Sequence, residues 1–242
     1  MEIFSGTSGW NYRHWRKKFY PEKLAVAKQL EFYSSRFNAV EVNYTHYRSP
    51  SVKTLKSWYN KTPRRFIFSL KAPRYITHLK KLKDVAEPLK RFYGAREVLR
   101  GKAACFLFQL PPFFKCTPPN TEKLAGLVSL LDKSVINIIE FRDPSWWNEK
   151  THSLFLNENA VFCSVSGLDM PDSLIKTADT VYIRFHGDNY KTPYNPNEIS
   201  DWCGRIKKSG ALNVFTFFNN DYKAYAPANA LELKEKLNEI NA

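Results

Sequence analysis

Eight short apolar runs recur along the chain, and stretches with helical spacing separate most of them. The runs are rich in β-branched and aromatic residues and apolar at consecutive positions, which predicts strands buried on both faces. The predicted strands are residues 3–7, 39–43, 66–71, 104–110, 135–141, 160–165, 181–186 and 213–218. The predicted helices are residues 23–36, 51–60, 84–100, 121–132, 146–157, 197–208 and 228–240.

This alternation over 242 residues is typical of an α/β domain. Strand starts lie about 20 to 40 residues apart, which is the length of a βα unit. The pattern favours a single-domain (β/α)8 TIM-like parallel barrel over residues 1–242 rather than an open doubly wound sheet, because the chain has no glycine-rich phosphate-binding motif. Residues 166–180 are short for a crossover helix, so we expect an irregular connection between strands six and seven.

The charge of the chain is uneven. Lysine and arginine outnumber aspartate and glutamate by 37 to 23. Residues 1–102 carry 23 basic and 7 acidic side chains, whereas residues 103–242 carry 14 and 16. One region therefore projects a positive field, which favours an anionic partner such as DNA, RNA or a phosphorylated metabolite.

Several function classes are disfavoured by simple counts. The longest stretches without a charged residue, 103–114 and 209–220, span 12 residues each, well short of the roughly 20 that a membrane helix needs. The first residues lack the features of a secretory signal, so we expect a cytoplasmic protein with no membrane partner. The cysteines lack zinc-ligand spacing; they are Cys105, Cys116, Cys163 and Cys203.

Polar side chains close several of the predicted strands. In a parallel barrel the carboxyl ends of the strands carry the active site, and residues two apart share a face. The polar pairs at that spacing are Glu41 with Asn43, Ser69 with Lys71, Glu140 with Arg142 and Arg184 with His186; Gln109, Asn219 and Asn220 end two further strands. If these side chains face the barrel axis, charged groups and amides converge on one mouth with a net positive charge.

The residue types at this mouth suggest roles. Arginine suits a phosphate or carboxylate, and His186 with Glu41 or Glu140 could transfer protons. Lys71 could form a Schiff base, but we expect Glu41 to keep its ammonium charged, which favours an ion pair or anion binding. We therefore predict Glu41, Lys71, Glu140 and His186 as catalytic. The alternative is that these groups satisfy one another in a structural ion-pair network.

Other chemistries are weaker alternatives. Glu41, Glu140 and His186 could ligate a divalent metal, but neighbouring cations would repel the ion, so we predict no cofactor and no metal site. Ser8, Ser69 and Ser164 lie outside any nucleophile-elbow motif. The same cations make a neutral sugar an unsuitable substrate for the two carboxylates.

Aromatic and basic residues alternate in the loop after the first strand. Residues 8–20 hold five aromatic side chains and five arginine, lysine or histidine side chains, a combination suited to base stacking and phosphate contact. Plugging of the barrel rim by these aromatics is the alternative. We predict substrate contacts from Trp10, Tyr12, Asn43, Tyr44, His78, Gln109, Arg142, Trp146, Arg184, Asn219 and Asn220.

The same residues carry a resemblance to a known family. The matching motifs are GTSGWNY at 6–12, FYP at 19–21, VEVNYTHY at 40–47, KAP at 71–73, ITH at 76–78, FQLPP at 108–112, EFRDPSW at 140–146, RFHG at 184–187 and FNND at 218–221. In this order they resemble the YecE-like family, also called domain of unknown function 72. The resemblance implies a TIM-like barrel but no established activity. His46 stands where that pattern more often has phenylalanine, and Ser166 where aspartate often closes strand six.

The leading hypothesis from sequence is an enzyme acting on a phosphate-containing anionic substrate, with nucleic acid as one candidate. The reaction class stays open, and phosphoester hydrolysis is one alternative. A nucleic-acid-binding barrel without catalysis and an enzyme for a sugar phosphate or carboxylate metabolite are the other two hypotheses.

Overall fold

A computed structural model describes residues 1–241 of the chain. Eight parallel strands form one sheet with the order β1-β8-β7-β6-β5-β4-β3-β2. Their bounds are β1 Glu2–Thr7, β2 Ala39–Val42, β3 Ile67–Lys71, β4 Ala103–Gln109, β5 Ile136–Glu140, β6 Val161–Gly167, β7 Thr180–Gly187 and β8 Asn213–Phe218. The predicted TIM-like α/β barrel is therefore confirmed, and each predicted strand lies within a few residues of an observed one.

The barrel closes between β1 and β2 with little backbone pairing. One parallel bridge joins Ser8 to Glu41. Below it, the Tyr33 hydroxyl donates to the carbonyl of Ala39 at 3.1 Å and accepts from the amide of Thr7 at 2.8 Å. Gly6 permits this close approach, because a Cβ there would lie 2.1 Å from the Ala39 carbonyl oxygen. The Tyr33 side chain thus replaces part of the backbone hydrogen bonding that is missing between β1 and β2.

The barrel interior changes from apolar to polar along the strands. Buried apolar side chains fill the part nearer the amino ends; they include Ala39, Cys105, Leu107, Ile138, Val161, Cys163, Tyr182 and Phe215. Alternation places the polar ends of the strands on the same inward rows, as with Ala39 and Glu41 or Ile138 and Glu140. A second, larger core packs the outer faces of the strands against the helices.

Helices surround the sheet as α1 Gln29–Arg36, α2 Tyr44–Tyr47, α3 Val52–Asn60, α4 Ala86–Tyr93, α5 Ala95–Leu99, α6 Pro118–Leu130, α7 Glu149–Glu158, α8 Pro196–Lys208 and α9 Tyr225–Asn241. The single helix predicted at 84–100 is wrong in one respect, because the chain breaks at Gly94 into α4 and α5. The one-turn α2 and a π-helical turn at Tyr75–Leu79 were not predicted. Such short elements have no periodicity to reveal them.

The connection from β6 to β7 contains no helix, as expected from its length. The chain turns at Leu168 and Asp169, both with positive φ, and then runs back along β6. Thr177 fixes this return, because its hydroxyl donates to the Ala160 carbonyl at 2.7 Å and accepts from the Phe162 amide at 2.9 Å. Within residues 1–241, no helix is both long enough and apolar enough to cross a membrane.

Candidate functional site

The polar strand ends do converge at the carboxyl end of the barrel, and they form two layers. The lower layer is a fully buried network that we call the ionic floor, defined as Ser8, Glu41, Ser69, Glu140, Tyr182, Arg184 and His186. Above it lie polar side chains that are at least partly accessible, and among them are Lys71 and Arg142. The two layers differ in what they can do, because only the upper one can contact a ligand directly.

Arg184 joins the two carboxylates of the ionic floor. One terminal nitrogen of its guanidinium lies 2.5 Å from Oε2 of Glu140, and the other lies 2.6 Å from Oε1 of Glu41. The side chain is 1% exposed. Burial would lower the pKa of Arg184, but Glu140 and Glu41 raise it well above its ordinary value. Both terminal nitrogens of Arg184, which was predicted to hold a substrate anion, are already paired with carboxylates of the protein.

His186 is a neutral member of the floor. Its Nε2 lies 3.1 Å from Oε1 of Glu140, and its Nδ1 lies 3.3 Å from the side-chain nitrogen of Asn219. Burial first and Arg142 second lower the pKa of His186 to about 3. Because a carboxylate must receive a proton and an amide nitrogen must give one, Nε2 carries the hydrogen and Nδ1 accepts. His186 therefore positions Glu140 and does not titrate near neutral pH, in contrast to the predicted proton transfer.

Glu140 stays ionised in this setting. Burial alone would raise its pKa, but Arg142, Arg184 and the hydrogen bond with His186 together lower it well below its ordinary value. Its oxygens face three nitrogen-bearing groups within 3.1 Å. Glu140 and Glu41 are both fully buried. Both carboxylates, which were predicted to be catalytic, are paired with cations of the protein and are not accessible from the mouth.

Three hydroxyl groups complete the floor. The Tyr182 hydroxyl donates to Oε2 of Glu41 at 2.8 Å and shares a hydrogen bond of 2.8 Å with Ser69. The Ser8 hydroxyl donates to Oε1 of Glu41 at 2.7 Å. Sequence reasoning missed Tyr182, although it lies two residues before Arg184 and therefore shares its face. Tyr182 was not recognised because a tyrosine within an apolar strand is usually a residue of the hydrophobic core.

Lys71 ends β3 and differs from every floor residue. Among residues 1–241, no carboxylate oxygen lies within 4.0 Å of its Nζ, and no acceptor lies within hydrogen-bond distance. Burial first and Arg184 second lower the pKa of Lys71 to about 8. Glu41 does oppose this lowering, as predicted, but it forms no ion pair with Lys71, because both oxygens of Glu41 are committed to other donors.

Arg142 is the second accessible cation. Its Nε lies 2.8 Å from Oε1 of Glu140 as an ion pair without hydrogen-bond alignment, and one terminal nitrogen donates to the Tyr190 hydroxyl at 2.8 Å. The side chain is 10% exposed. Tyr190 also packs edge-on against His186, with ring centroids 5.3 Å apart. Tyr190 was not predicted, because it lies in the loop after β7 and no pattern marks it.

Two histidines lie near Lys71. His46 Nδ1 is 2.8 Å from the Ala72 carbonyl, and the rings of His46 and His78 lie 5.1 Å apart. Burial first and Lys71 second lower the pKa of His46, to about 4, and that of His78. Both imidazoles are therefore neutral at pH 7. Gln109, the last residue of β4, pairs in register with Glu140 and is partly accessible.

An aromatic groove of about 390 Å³ adjoins the mouth. Trp10 and Trp58 pack edge to face at 5.5 Å, and Tyr44 packs edge-on against Trp58 at 6.3 Å. Asn43 and Tyr12 line the same groove, and Oδ1 of Asn43 has no partner among the described residues. The groove brings together four of the predicted substrate contacts, namely Trp10, Tyr12, Asn43 and Tyr44.

Two predicted substrate contacts lie elsewhere. Trp146 is fully buried, stacks on Phe141 at 4.5 Å and donates to the Phe114 carbonyl, so it is core and not a stacking wall. Asn220 is also fully buried, and its amide donates to the Thr192 carbonyl and to Asn229, both at 3.0 Å. Asn220 therefore anchors the loop after β7, whereas its neighbour Asn219 faces His186.

The described residues contain no group of three or more histidine, cysteine, aspartate or glutamate side chains placed to hold a metal. Glu41 and Glu140, the carboxylates considered for that role, are separated by the guanidinium of Arg184. The accessible groups of the mouth are instead donors and cations. This arrangement can bind an anion, and it leaves the amine of Lys71 without a counter-ion.

Fold and site together define a TIM-like barrel protein with a cationic mouth over a neutralised ionic floor. The family model described as "Protein of unknown function DUF72" matches residues 4–242, and the chain belongs to this family. The predicted family resemblance is thereby confirmed.

Individual relatives agree with this assignment. The chain is 25% identical over 270 aligned positions to UPF0759 protein YunF of Bacillus subtilis, covering 97% of this chain and 94% of YunF. It is 28% identical over 112 positions to UPF0759 protein YecE of Escherichia coli, covering 46% of this chain and 39% of YecE. A crystal structure of a DUF72 family protein from Thermotoga maritima is similar with a TM-score of 0.89 and 30% identity, covering 98% of this chain and 100% of that one.

Proposed function

We propose that this protein is an enzyme that binds a phosphate-containing anionic substrate at the barrel mouth, with Lys71 and Arg142 as the contacts to the anion. One observation carries the proposal. Lys71 has no acceptor among the described residues, while the charges beneath it are already paired with one another. An anion that docks there gives the buried ammonium the partner it lacks.

The net charge of the site supports an anionic substrate. At neutral pH Glu41 and Glu140 are offset by Arg184 and Arg142, which they contact within 2.8 Å. His186 contributes no charge, because its pKa is about 3. The charge in excess is that of Lys71, beside the partly accessible guanidinium of Arg142. A neutral substrate would leave Lys71 unpaired.

Calorimetric titration with glycerol 3-phosphate tests the proposal, with glycerol as the uncharged comparison. The phosphate ester is expected to bind and glycerol is not. Lys71→Met and Arg142→Met should each weaken binding roughly tenfold or more, because each removes a charge-assisted contact. Lys208→Met, an exposed lysine at the end of α8, is the matched control and should bind normally.

Equal affinity of wild type and Lys71→Met for glycerol 3-phosphate would overturn the assignment of the anion to this mouth. Inorganic phosphate released in the same samples distinguishes hydrolysis from other chemistry. Binding without any turnover of phosphate esters would support an anion-binding barrel and contradict the enzymatic part of the proposal.

A nucleic acid is the second candidate ligand, and exposed aromatics beside the mouth favour it. Tyr44, Tyr47 and Tyr75 are 47%, 71% and 47% exposed on the segments after β2 and β3. Arg48 and Arg74 are their exposed neighbours in sequence. Tyrosine rings with adjacent cations suit stacked bases and phosphates of a single strand. Titration of single-stranded DNA and RNA at two salt concentrations tests this candidate, which predicts steeply salt-dependent affinity that falls when Tyr44 and Tyr75 are changed to alanine.

A further inference from the structure

Lys71 is fixed in position by its backbone. Its carbonyl accepts a hydrogen bond of 2.6 Å from the Thr45 hydroxyl, and the amide of the next residue, Ala72, donates to the Leu107 carbonyl at 2.7 Å. As the last residue of β3, it lies on the inward row that also contains Ser69. A strand end held in this way presents the amine at a defined place in the mouth.

The carboxylates that could neutralise Lys71 are fully occupied. Glu41 accepts from Ser8, Tyr182 and Arg184 at 2.6 to 2.8 Å. Glu140 faces Arg142, Arg184 and His186 at 2.5 to 3.1 Å. An ammonium buried beside these saturated groups is costly. Deprotonation to the uncharged amine removes that cost, and a bound substrate that brings its own negative group offsets it.

We propose that Lys71 is a covalent nucleophile that forms an imine with the aldehyde or ketone group of an anionic substrate whose negative end is held by Arg142. The inference rests on the proposed function and narrows its substrate to carbonyl compounds that also bear a phosphate. Lys71 is only 9% exposed, so it meets a bound ligand and little bulk water. Lys71 thereby becomes the catalytic residue of the site.

The step balances without an oxidant or reductant. The lone pair of the uncharged amine forms a bond to the carbonyl carbon while the π electrons move to oxygen. A proton passes from nitrogen to that oxygen, and a second proton allows the oxygen to leave as water as the carbon–nitrogen double bond forms. Ammonium and carbonyl compound thus become a protonated imine and one water, and the total charge is unchanged.

The surroundings make the amine available near neutral pH. Burial and Arg184 lower the pKa of Lys71 to about 8, and Arg142 acts in the same direction. Glu140 and Glu41 oppose this lowering. His46 and His78 are the other titratable groups near Lys71, and both are neutral at pH 7. Imine formation should therefore rise with pH between about 7 and 9 and level off above.

Reductive trapping tests the inference on the wild-type protein. Glycolaldehyde phosphate with cyanoborohydride should reduce any imine to a stable secondary amine, and peptide mass spectrometry locates it. We expect Lys71 to be labelled roughly tenfold or more faster than exposed Lys208 at pH 7. Formaldehyde, which needs no anion contact, should show the same preference to a smaller degree. Lys71→Arg keeps the charge and should lose only the label at this site.

The outcomes separate the two proposals. If glycolaldehyde phosphate binds without reductant but leaves Lys71 unlabelled, the imine is wrong and the anion site stands. If neither glycolaldehyde phosphate nor inorganic phosphate binds, both proposals fail. Formaldehyde labelling of Lys71 no faster than of Lys208 would also contradict the inference, whatever the natural substrate is.

Discussion

Arg184 on β7 and Glu41 on β2 form an ion pair of 2.6 Å across the barrel, although the two strands are not neighbours in the sheet. The other terminal nitrogen of Arg184 contacts Glu140 on β5. One guanidinium therefore connects three separate strands at the level where the barrel opens. Arg142 follows β5 directly, and Lys71 ends β3, which pairs with β2.

Removing the guanidinium should destabilise the fold. Arg184→Met leaves two carboxylates buried without their shared partner, which should lower the free energy of unfolding by about 3–5 kcal/mol. Urea denaturation at pH 7 measures this. The matched control is Arg205→Met, whose ion pairs with Asp172 and Asp201 are partly exposed, and it should cost about 1 kcal/mol or less. A similar small loss for Arg184→Met would contradict the role given to the ionic floor.

The charge on Lys71 should reduce stability at neutral pH. The unfolded chain holds this proton up to pH 10.5, whereas the folded protein releases it near pH 8. Stability is therefore gained as pH rises from 8 towards 10.5 and lost on the way down. Lys71→Met should be more stable than wild type by roughly 3 kcal/mol at pH 7, with the difference shrinking above pH 8.

Urea denaturation of wild type and Lys71→Met at pH 7, 8.5 and 10 checks this behaviour. Lys208→Met should show a difference from wild type that does not change over this range. A Lys71→Met protein that is less stable than wild type at pH 7 would mean that Lys71 has a counter-ion.

His186 should remain in a single neutral tautomer through the physiological range. Nitrogen NMR is expected to show a hydrogen on Nε2 and none on Nδ1 at pH 7, with no titration above pH 4, because its pKa is about 3. The unfolded chain takes up this proton near pH 6.5, so the contribution of His186 to stability is lost as pH falls from 6.5 to 3. Protonation of both ring nitrogens at pH 6 would contradict the arrangement with Glu140 and Asn219.

Tyr33→Phe should weaken the closure between β1 and β2. The change leaves the buried Thr7 amide and Ala39 carbonyl without the hydroxyl that serves both. A loss of about 1–3 kcal/mol in the free energy of unfolding is expected. Tyr47→Phe, at a side chain that is 71% exposed, is the control and should change little. Faster hydrogen exchange at Thr7 would locate the effect at this junction.

The sequence predicted the fold well because the barrel strands are continuous apolar runs with polar ends. Strand spacing and the missing crossover between β6 and β7 followed from the same pattern. Features that depend on single side chains could not be predicted from that pattern. Gly94, which separates α4 from α5, and Thr45, which holds α2 against the Val42 and Lys71 carbonyls, act through tertiary contacts that periodicity does not record.

At the site, alternation correctly brought the polar strand ends together but could not assign partners among them. Which carboxylate meets which cation depends on strand stagger and on Tyr182, whose hydroxyl donates to Oε2 of Glu41. The sequence also could not predict how deeply each polar side chain is buried. Burial depth decides that Glu140 and His186 lie in the floor with no exposed surface, while Lys71 and Arg142 above them keep 9% and 10% of theirs.

The proposals all depend on Lys71 being a largely buried amine without a counter-ion in the protein. The most direct test is a pH titration of the Lys71 side-chain NMR signal, assigned by its loss in Lys71→Arg, with and without glycerol 3-phosphate. Lys71 should titrate with a pKa of about 8 in the free protein, and with a higher pKa when the phosphate ester supplies the missing negative charge. A pKa near 10.5 that the ester does not change would contradict this expectation.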